Sequence, residues 1–247
     1  MAEPARAARR GDAQSERRDT GPLTGRGQAR RDDLLAAARR VFERDGYLET
    51  RVVDITHEAG ASQGTFYTYF DSKESIFYEV AERTMSQVLG HLHVDEVPTE
   101  PTARIRSALQ RFVEAYRPAA RMVALVEQVG TMRPDVKAMR LTVRDAFVQR
   151  TIRGITRWQA EGIADPTLDV RLTAEALGSM VDHLCYVWMN LGVEFDEEEL
   201  LDTLTLLWAR AVGVDGARPV LPPPRSPEPT QSAAVVAGPS DLWRDDD

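Results

Sequence analysis

The chain has one cysteine, Cys185, among 247 residues. A lone thiol cannot close an intrachain disulfide, so the fold must hold without one, as suits a reducing compartment. Histidine is almost as scarce, with four copies. His91 and His93 stand beside Asp95 and Glu96. An HxH pair at a helix end splays its rings apart, and no Cys or third His is close in sequence, so no metal site is expected. His183 and Cys185 are two apart on a helical stretch and face different ways. There is no Gly-rich phosphate loop, no GxSxG and no HExxH. Catalysis is therefore not expected, nor is a cofactor. No apolar run nears the ~18 residues of a membrane span. The start, MAEPARAARR, has charges with no apolar stretch behind them and does not read as a secretory signal. The expected location is cytoplasmic, with no membrane partner. No segment alternates with period two for long enough to make a strand, so the expected fold class is all-α.

Charge is present in both signs but unevenly. The formal net charge is −8, which argues mildly against a polyanionic partner. Residues 1–31 hold eight Arg against four acids, a net +4. Residues 32–75 come to −4, and the remainder to −8. Any face that grips nucleic acid must then be built from local groups, with much of the positive charge in the N-terminal stretch. Residues 1–27 lack an apolar period and are expected to form a disordered basic arm. Its arginines either enter a minor groove or stay solvated. Residues 216–247 include ARPVLPPPRSPEP and end in three Asp, which predicts a second disordered segment.

Between these ends the periodicity is helical. Leu34, Leu35, Ala38, Val41 and Phe42 share one face, and Gly46 ends that helix. Thr50 can cap the next, whose apolar face is Val52, Val53, Ile55 and Ala59. Gly60 makes a turn, and Ser62 can cap a short third helix. Asp71 and Glu74 have capping-box spacing for a long helix over 72–92. Five further helices follow. One carries Ile105 to Tyr116 and is interrupted by Pro118. Others carry Met122 to Val129, run from Pro134 to about Glu161, and span 168–191 and 196–212. Asp196 and Glu199 form a box for the last.

The stretch TRVVDITHEAGASQGTFYTYFDSKE, residues 50–74, reads as helix, glycine turn, helix. In such a unit the second helix enters the major groove. Phe66 and Phe70 can seat it on the helix around Phe42. Gln63, Thr65, Tyr67, Thr68 and Tyr69 are then left outward or at the rim. Gln pairs bidentately with adenine, and Thr hydrogen-bonds or touches a thymine methyl. Tyrosine hydroxyls and Lys73 suit phosphates, although Tyr67 and Tyr69 could also simply pack. With Thr50, Arg51, Ser62 and Gly64 these residues make up the expected DNA-contacting set.

From Leu34 to about Glu79 the sequence resembles the TetR family of bacterial regulators. The resemblance is carried by Phe42, Gly46, Tyr47, Thr50, Asp54, Ile55, Ala59, Gly60, Ser62, Gly64, Thr65, Phe66, Tyr67, Tyr69, Phe70, Lys73 and Glu74. It implies phosphate contacts from Thr50, Ser62, Tyr67, Tyr69 and Lys73. Gln63, Thr65 and Thr68 would face bases. Gln63 departs from the lysine common at its position. The resemblance also implies a DNA-binding domain over 28–75 and a ligand-binding and dimerisation domain over 76–215. The implied function is a ligand-responsive repressor on a palindromic double-stranded operator. The second reading is a helical ligand-binding or interaction protein that no longer reads DNA specifically.

Residues 100–213 match no specific motif. By the same resemblance the last two helices form the homodimer. Leu172, Leu177, Met180, Val181, Leu184, Cys185 and Trp188 lie on one, and Leu200, Leu204, Leu207, Trp208 and Ala211 on the other. The pocket is expected among Met85, Leu89, Leu92, Phe112, Tyr116, Met122, Val126, Met139, Val143 and Phe147, each of which could equally be core. That lining fits a small apolar or amphipathic, fatty-acyl-like effector. Arg121 and Arg140 could meet an acidic head group or be solvated.

Overall fold

Apolar residues at helical spacing recur along the whole middle of the chain, and helices are what they form. A computed structural model describes residues 25–91 and 98–214. These contain α1 (Gly25–Asp45), α2 (Val52–Glu58), α3 (Gln63–Tyr69), α4 (Lys73–His91) and α5 (Pro101–Tyr116). A 3₁₀ turn at Arg117–Ala119 follows, then α6 (Ala120–Gly130), α7 (Pro134–Ala160), α8 (Val170–Met189) and α9 (Glu197–Val212). No strand occurs among the described residues, so the fold there is all-α. Pro118 sits in the 3₁₀ turn between α5 and α6, and Pro134 opens α7. A proline there costs no intrahelical hydrogen bond.

Three local expectations need correction. Helix α1 begins at Gly25, inside the stretch expected to be unstructured. The N-cap of α2 is Arg51, not Thr50. The Thr50 hydroxyl donates back to the Gly46 carbonyl at 2.6 Å, and the residue is buried. The Asp54 carboxylate instead accepts from the Arg51 amide at 2.9 Å. At α4 the reciprocal cap is Ser72 with Ser75, each amide donating to the other's hydroxyl at 3.2 Å. Asp71 and Glu74 do not form it, because the helix starts one residue later than the spacing implied. Ser62 caps as expected, accepting from the Thr65 amide at 3.1 Å, and Asp196 supplies its half of the expected box, accepting from the Glu199 amide at 3.0 Å. Leu92, His93, Asp95 and Glu96 lie outside the described residues, as do 1–24 and 215–247.

Gly46 and Gly60 have φ of 81° and 57°. A β-carbon at either would meet open space. The requirement is therefore dihedral: both turns need a left-handed residue that costs least as glycine.

The first core is aromatic. Phe42, Phe66 and Phe77 are fully buried. Phe42 meets Phe77 edge-on with ring centres 5.1 Å apart, and Tyr47 meets Phe77 at 4.8 Å. The same core continues through Met85 of α4 into Met122, Val126 and Val129 of α6 and Val136 and Met139 of α7. A second core joins α5, α7, α8 and α9 through Leu109, Val113, Trp158, Leu177, Val181, Leu201 and Leu204. Between them lies a small cluster of Val88, Ala115 and Ala119, with Val123 and Phe147 against it.

Candidate nucleic-acid interface and effector region

Helix α3 has the sequence QGTFYTY and carries no charge. Its seating follows from i, i+4 spacing. Phe66 and Phe70 are buried and lie 5.7 Å apart. The outer side of the helix is left to Gln63, Gly64, Tyr67 and Thr68, all exposed. Tyr67 is 51% exposed although its ring edge touches Phe66 at 5.3 Å. Tyr69 is half-buried against the aromatic core, so the two tyrosines are not equivalent. The Thr68 hydroxyl donates to the Gly64 carbonyl at 3.0 Å, and the Thr65 and Ser62 hydroxyls share a bond of 3.0 Å. Hydroxyls held this way keep acceptor lone pairs for a partner.

The remaining expected contacts fall differently. Thr50 is turned inward, as described. Arg51 is exposed but paired with Asp54 at 3.0 Å. Lys73 donates to the carbonyls of Tyr47 and Leu48 at 2.9 and 3.2 Å and sits 4.8 Å from the Tyr47 ring. It ties the start of α4 to the turn before α2, and one of its three donors is left over.

Two arginines that the sequence placed with the basic N-terminal stretch are structural. Arg30 donates to the Gly60 carbonyl at 2.7 Å and to that of Ala59 at 3.4 Å, pinning the turn between α2 and α3. Arg31 forms a two-pronged pair with Glu79 and lies 5.0 Å from the Phe70 ring. It thereby clamps α1 to α4 and to the end of α3. No sequence spacing announces these long-range contacts.

The acids of this region are mostly engaged. Asp32 pairs with Arg83 at 2.8 Å, and Glu58 with Arg40 and Arg44 at 2.7 and 3.3 Å. Hydrogen bonds from those arginines hold the carboxyls of Asp32 and Glu58 below their ordinary range. The pairs of Glu58 use arginines already counted in the −4 of residues 32–75, Arg83 offsets Asp32 from outside that stretch, and α3 itself carries no charge.

The residues expected to line one pocket fall into different packed groups. Met85, Met122, Val126 and Met139, with Val143, belong to the aromatic core or pack on it. Phe112 and Tyr116 belong with the second core. Phe147 lies on the small cluster between, and Leu89 is half-buried. A surface groove of about 440 Å³ is lined by Glu43, Arg117, Ala120, Arg121, Trp188 and Met189, none of them in the expected set. Arg121 donates to the Glu43 carbonyl at 3.1 Å and Arg140 pairs with Glu127. Arg140 is thus already paired, whereas Arg121 lines the groove with no carboxylate partner among the described residues.

The second core holds several polar groups in poor surroundings. Burial raises the Asp182 carboxyl above its ordinary range, with a further push from Glu127. Burial also raises the Tyr116 phenol and pushes the Cys185 thiol up to about 12. Cys185 is therefore protonated and unreactive at neutral pH. The Nε of Arg111, Nδ2 of Asn190 and Nε1 of Trp208 are buried without a hydrogen-bond partner among the described residues. On the last two helices, Leu177, Val181, Cys185, Leu200 and Leu204 face the chain's own core. Leu172 and Leu207 are 67% and 45% exposed.

A short, uncharged helix on an aromatic base, presented by a glycine turn and followed by a larger helical body, defines the class: a helix-turn-helix DNA-binding regulator with a second helical domain. Comparison with known proteins gives the family. The model for bacterial regulatory proteins of the tetR family matches residues 34–80, and that for the C-terminal domain of the transcriptional regulator EthR matches 105–213. The chain belongs to the TetR family of transcriptional regulators. It is 29% identical to the HTH-type transcriptional regulator YfiR of Bacillus subtilis, over 69% of this chain and 83% of that one. It is 24% identical to the regulator EthR of Mycolicibacterium smegmatis, over 75% and 87% of the two chains. The crystal structure of FadR from Bacillus subtilis in complex with stearoyl-CoA superposes with a TM-score of 0.62 at 19% identity, covering 73% of this chain and 98% of that one. Among the described residues no helix is long and apolar enough to cross a membrane.

Proposed function

We propose that this regulator is a cytoplasmic homodimeric repressor that holds a palindromic operator until an apolar or amphipathic effector, fatty-acyl-like in shape, releases it. The observation that carries the DNA half is α3. Its Gln63, Thr65 and Thr68 are amide and hydroxyl groups suited to base edges, on a helix fixed by two buried phenylalanines. Tyr67, Ser62 and the free donor of Lys73 reach phosphates, and Arg51 joins them by leaving Asp54. Tyr69 acts mainly through packing. Dimerisation through α8 and α9 is supported by the exposed Leu172 and Leu207 and by the unpartnered indole N–H of Trp208. The effector half is supported by the stearoyl-CoA bound to the FadR relative and by the unpartnered buried nitrogens in and around the second core.

The coupling needs no separate wire. Met122, Val129 and Val136 of the second domain are built into the core that seats α3. A ligand that shifts α6 or α7 moves the same packed unit. Taking the operator-bound form from 99% to 1% needs about 5.5 kcal/mol of differential ligand binding. The test is mobility shift with the protein's own upstream DNA, with and without long-chain fatty acid and acyl-CoA, alongside sedimentation of the complex. Two copies per operator and release by one of these amphiphiles are expected. One copy per site, or operator binding indifferent to all such amphiphiles, would contradict the proposal.

A further inference from the structure

Arginine is usually neutralised in this protein. Arg31, Arg39, Arg40, Arg44, Arg83, Arg106, Arg117, Arg133, Arg140 and Arg144 all pair with carboxylates. Arg111 of α5 and Arg150 and Arg153 of α7 have no carboxylate partner among the described residues, as is also true of Arg104, Arg121, Arg157, Arg171 and Arg210, and what sets the three apart is that they lie near one another. Among the described residues none of the three has an ion pair, and Arg150 is close enough to Arg111 and Arg153 to be repelled by both. The acids beside them are turned elsewhere. Glu114, one turn along α5 from Arg111, accepts from Gln110 at 2.9 Å, and Asp145 accepts from Gln149 at 3.4 Å. Arg111 donates one terminal nitrogen to the Ser107 hydroxyl, and its Nε is buried with no partner. Arg150 is half-buried, and burial together with its two cationic neighbours disfavours its charged form. Three guanidiniums gathered without a counter-charge cost stability unless an anion completes them.

The surface beside them is apolar and aromatic. Phe112 follows Arg111 in sequence, and Phe147 lies one turn before Arg150. Their rings meet edge-on at 5.4 Å, and Phe147 leads on to the cluster of Val88, Ala115 and Ala119. Charge and apolar surface thus adjoin where Phe112 of α5 meets Phe147 of α7.

We propose that Arg111, Arg150 and Arg153 hold the anionic head of an amphiphilic effector, a carboxylate or a phosphate ester, with Phe112 and Phe147 at the start of its chain's path. This rests on the effector-responsive reading above and names the chemistry of its site. Guanidinium forks match both head groups, and such charge-assisted bonds are about twice as strong as neutral ones.

The test uses the full chain and three probes: dodecanoic acid, dodecanoyl-CoA and methyl dodecanoate. Binding is followed by calorimetry, and operator affinity without ligand is measured in parallel. The wild-type protein is expected to bind at least one anionic probe about tenfold or more tighter than the uncharged ester. The acid and the thioester distinguish a carboxylate from a phosphate-bearing head. Arg111→Gln with Arg150→Gln should remove that preference while leaving ester binding and operator affinity unchanged. The exposed Arg153→Gln, which risks no folding defect, should reduce the preference by a smaller factor. The site is overturned if charged and uncharged probes bind the wild type alike, if no anionic probe binds, or if folded variants keep the preference. Failure of the wild type to bind its operator would count instead against the regulator reading.

Discussion

The two cores of this protein differ in how fully their buried polar atoms are paired. Around the aromatic core beneath α3, each buried hydroxyl has an acceptor. Thr50 donates to Gly46, Thr56 to Val53 at 3.0 Å and Thr84 to Val80 at 2.8 Å. Tyr47 donates to Glu74 at 3.4 Å. In the second core and at its margins the Thr205 hydroxyl likewise has an acceptor, the Leu201 carbonyl at 2.6 Å, but among the described residues Arg111, Asn190 and Trp208 each leave a buried nitrogen unpartnered. A satisfied polar set fixes one geometry, which a reading head needs. An unsatisfied one marks where a further component, a ligand or a second copy, can lower the free energy.

The contrast is broken most severely from beneath α3. Phe66→Ala removes a fully buried ring and is expected to cost about 3–5 kcal/mol. Chemical denaturation would show it, with operator binding lost as α3 loses its seat. If stability fell by less than about 1 kcal/mol, the claim of a rigid head would be wrong. Gln63→Ala is next. Gln63 is exposed, so stability should hold while discrimination at one operator position falls by about 1–3 kcal/mol. Competition assays over single-base operator variants would read this out. Ser62→Ala removes the α3 cap and should cost about 1 kcal/mol, seen as a lower denaturation midpoint.

The smallest effect sharpens the other side of the comparison and has an unusual sign. Asp182 has a raised pKa because it is buried, with Glu127 adding to the rise. The folded state therefore holds this proton more tightly than the unfolded chain. Its contribution favours folding below the ordinary aspartate range and is lost as pH climbs through the raised value. Asp182→Asn should accordingly raise Tm slightly at pH 7, with the gain shrinking toward pH ~4. A lower Tm at pH 7 would show that the carboxylate is stabilised by groups not recognised above.

Much of the head was legible in the sequence. Phe42, Phe66 and Phe70 sit at helical spacing, Gly46 and Gly60 mark the turns, and Ser62 precedes its helix by the capping distance. These are local rules, and local rules read well. Thr50 was misread because its hydroxyl could either accept from an amide of α2 as a cap or donate back to the Gly46 carbonyl, and it does the second. Ser72 and Ser75 displaced Asp71 and Glu74 by a shift of one residue in the helix start, which composition does not decide. Arg30 and Arg31 were invisible as clamps because their partners lie 30 and 48 positions away. The second domain was less legible still. Helical periodicity predicted α5 to α9, but it cannot tell a residue that packs from one that lines a space. Nor can it tell Arg140, which has Glu127, from Arg150, which has no carboxylate.

The central claim is that α3, neutral and rigidly seated, reads specific DNA. The direct measurement is the equilibrium affinity of the full chain for its own upstream duplex and for a scrambled duplex of equal length, across salt. The account predicts a clear preference for the native sequence at every salt concentration, with affinity for both falling as salt rises through phosphate contacts. Equal, weak binding to the two duplexes would contradict it, and would mark the chain as a helical interaction protein that has kept the helix-turn-helix without its reading function.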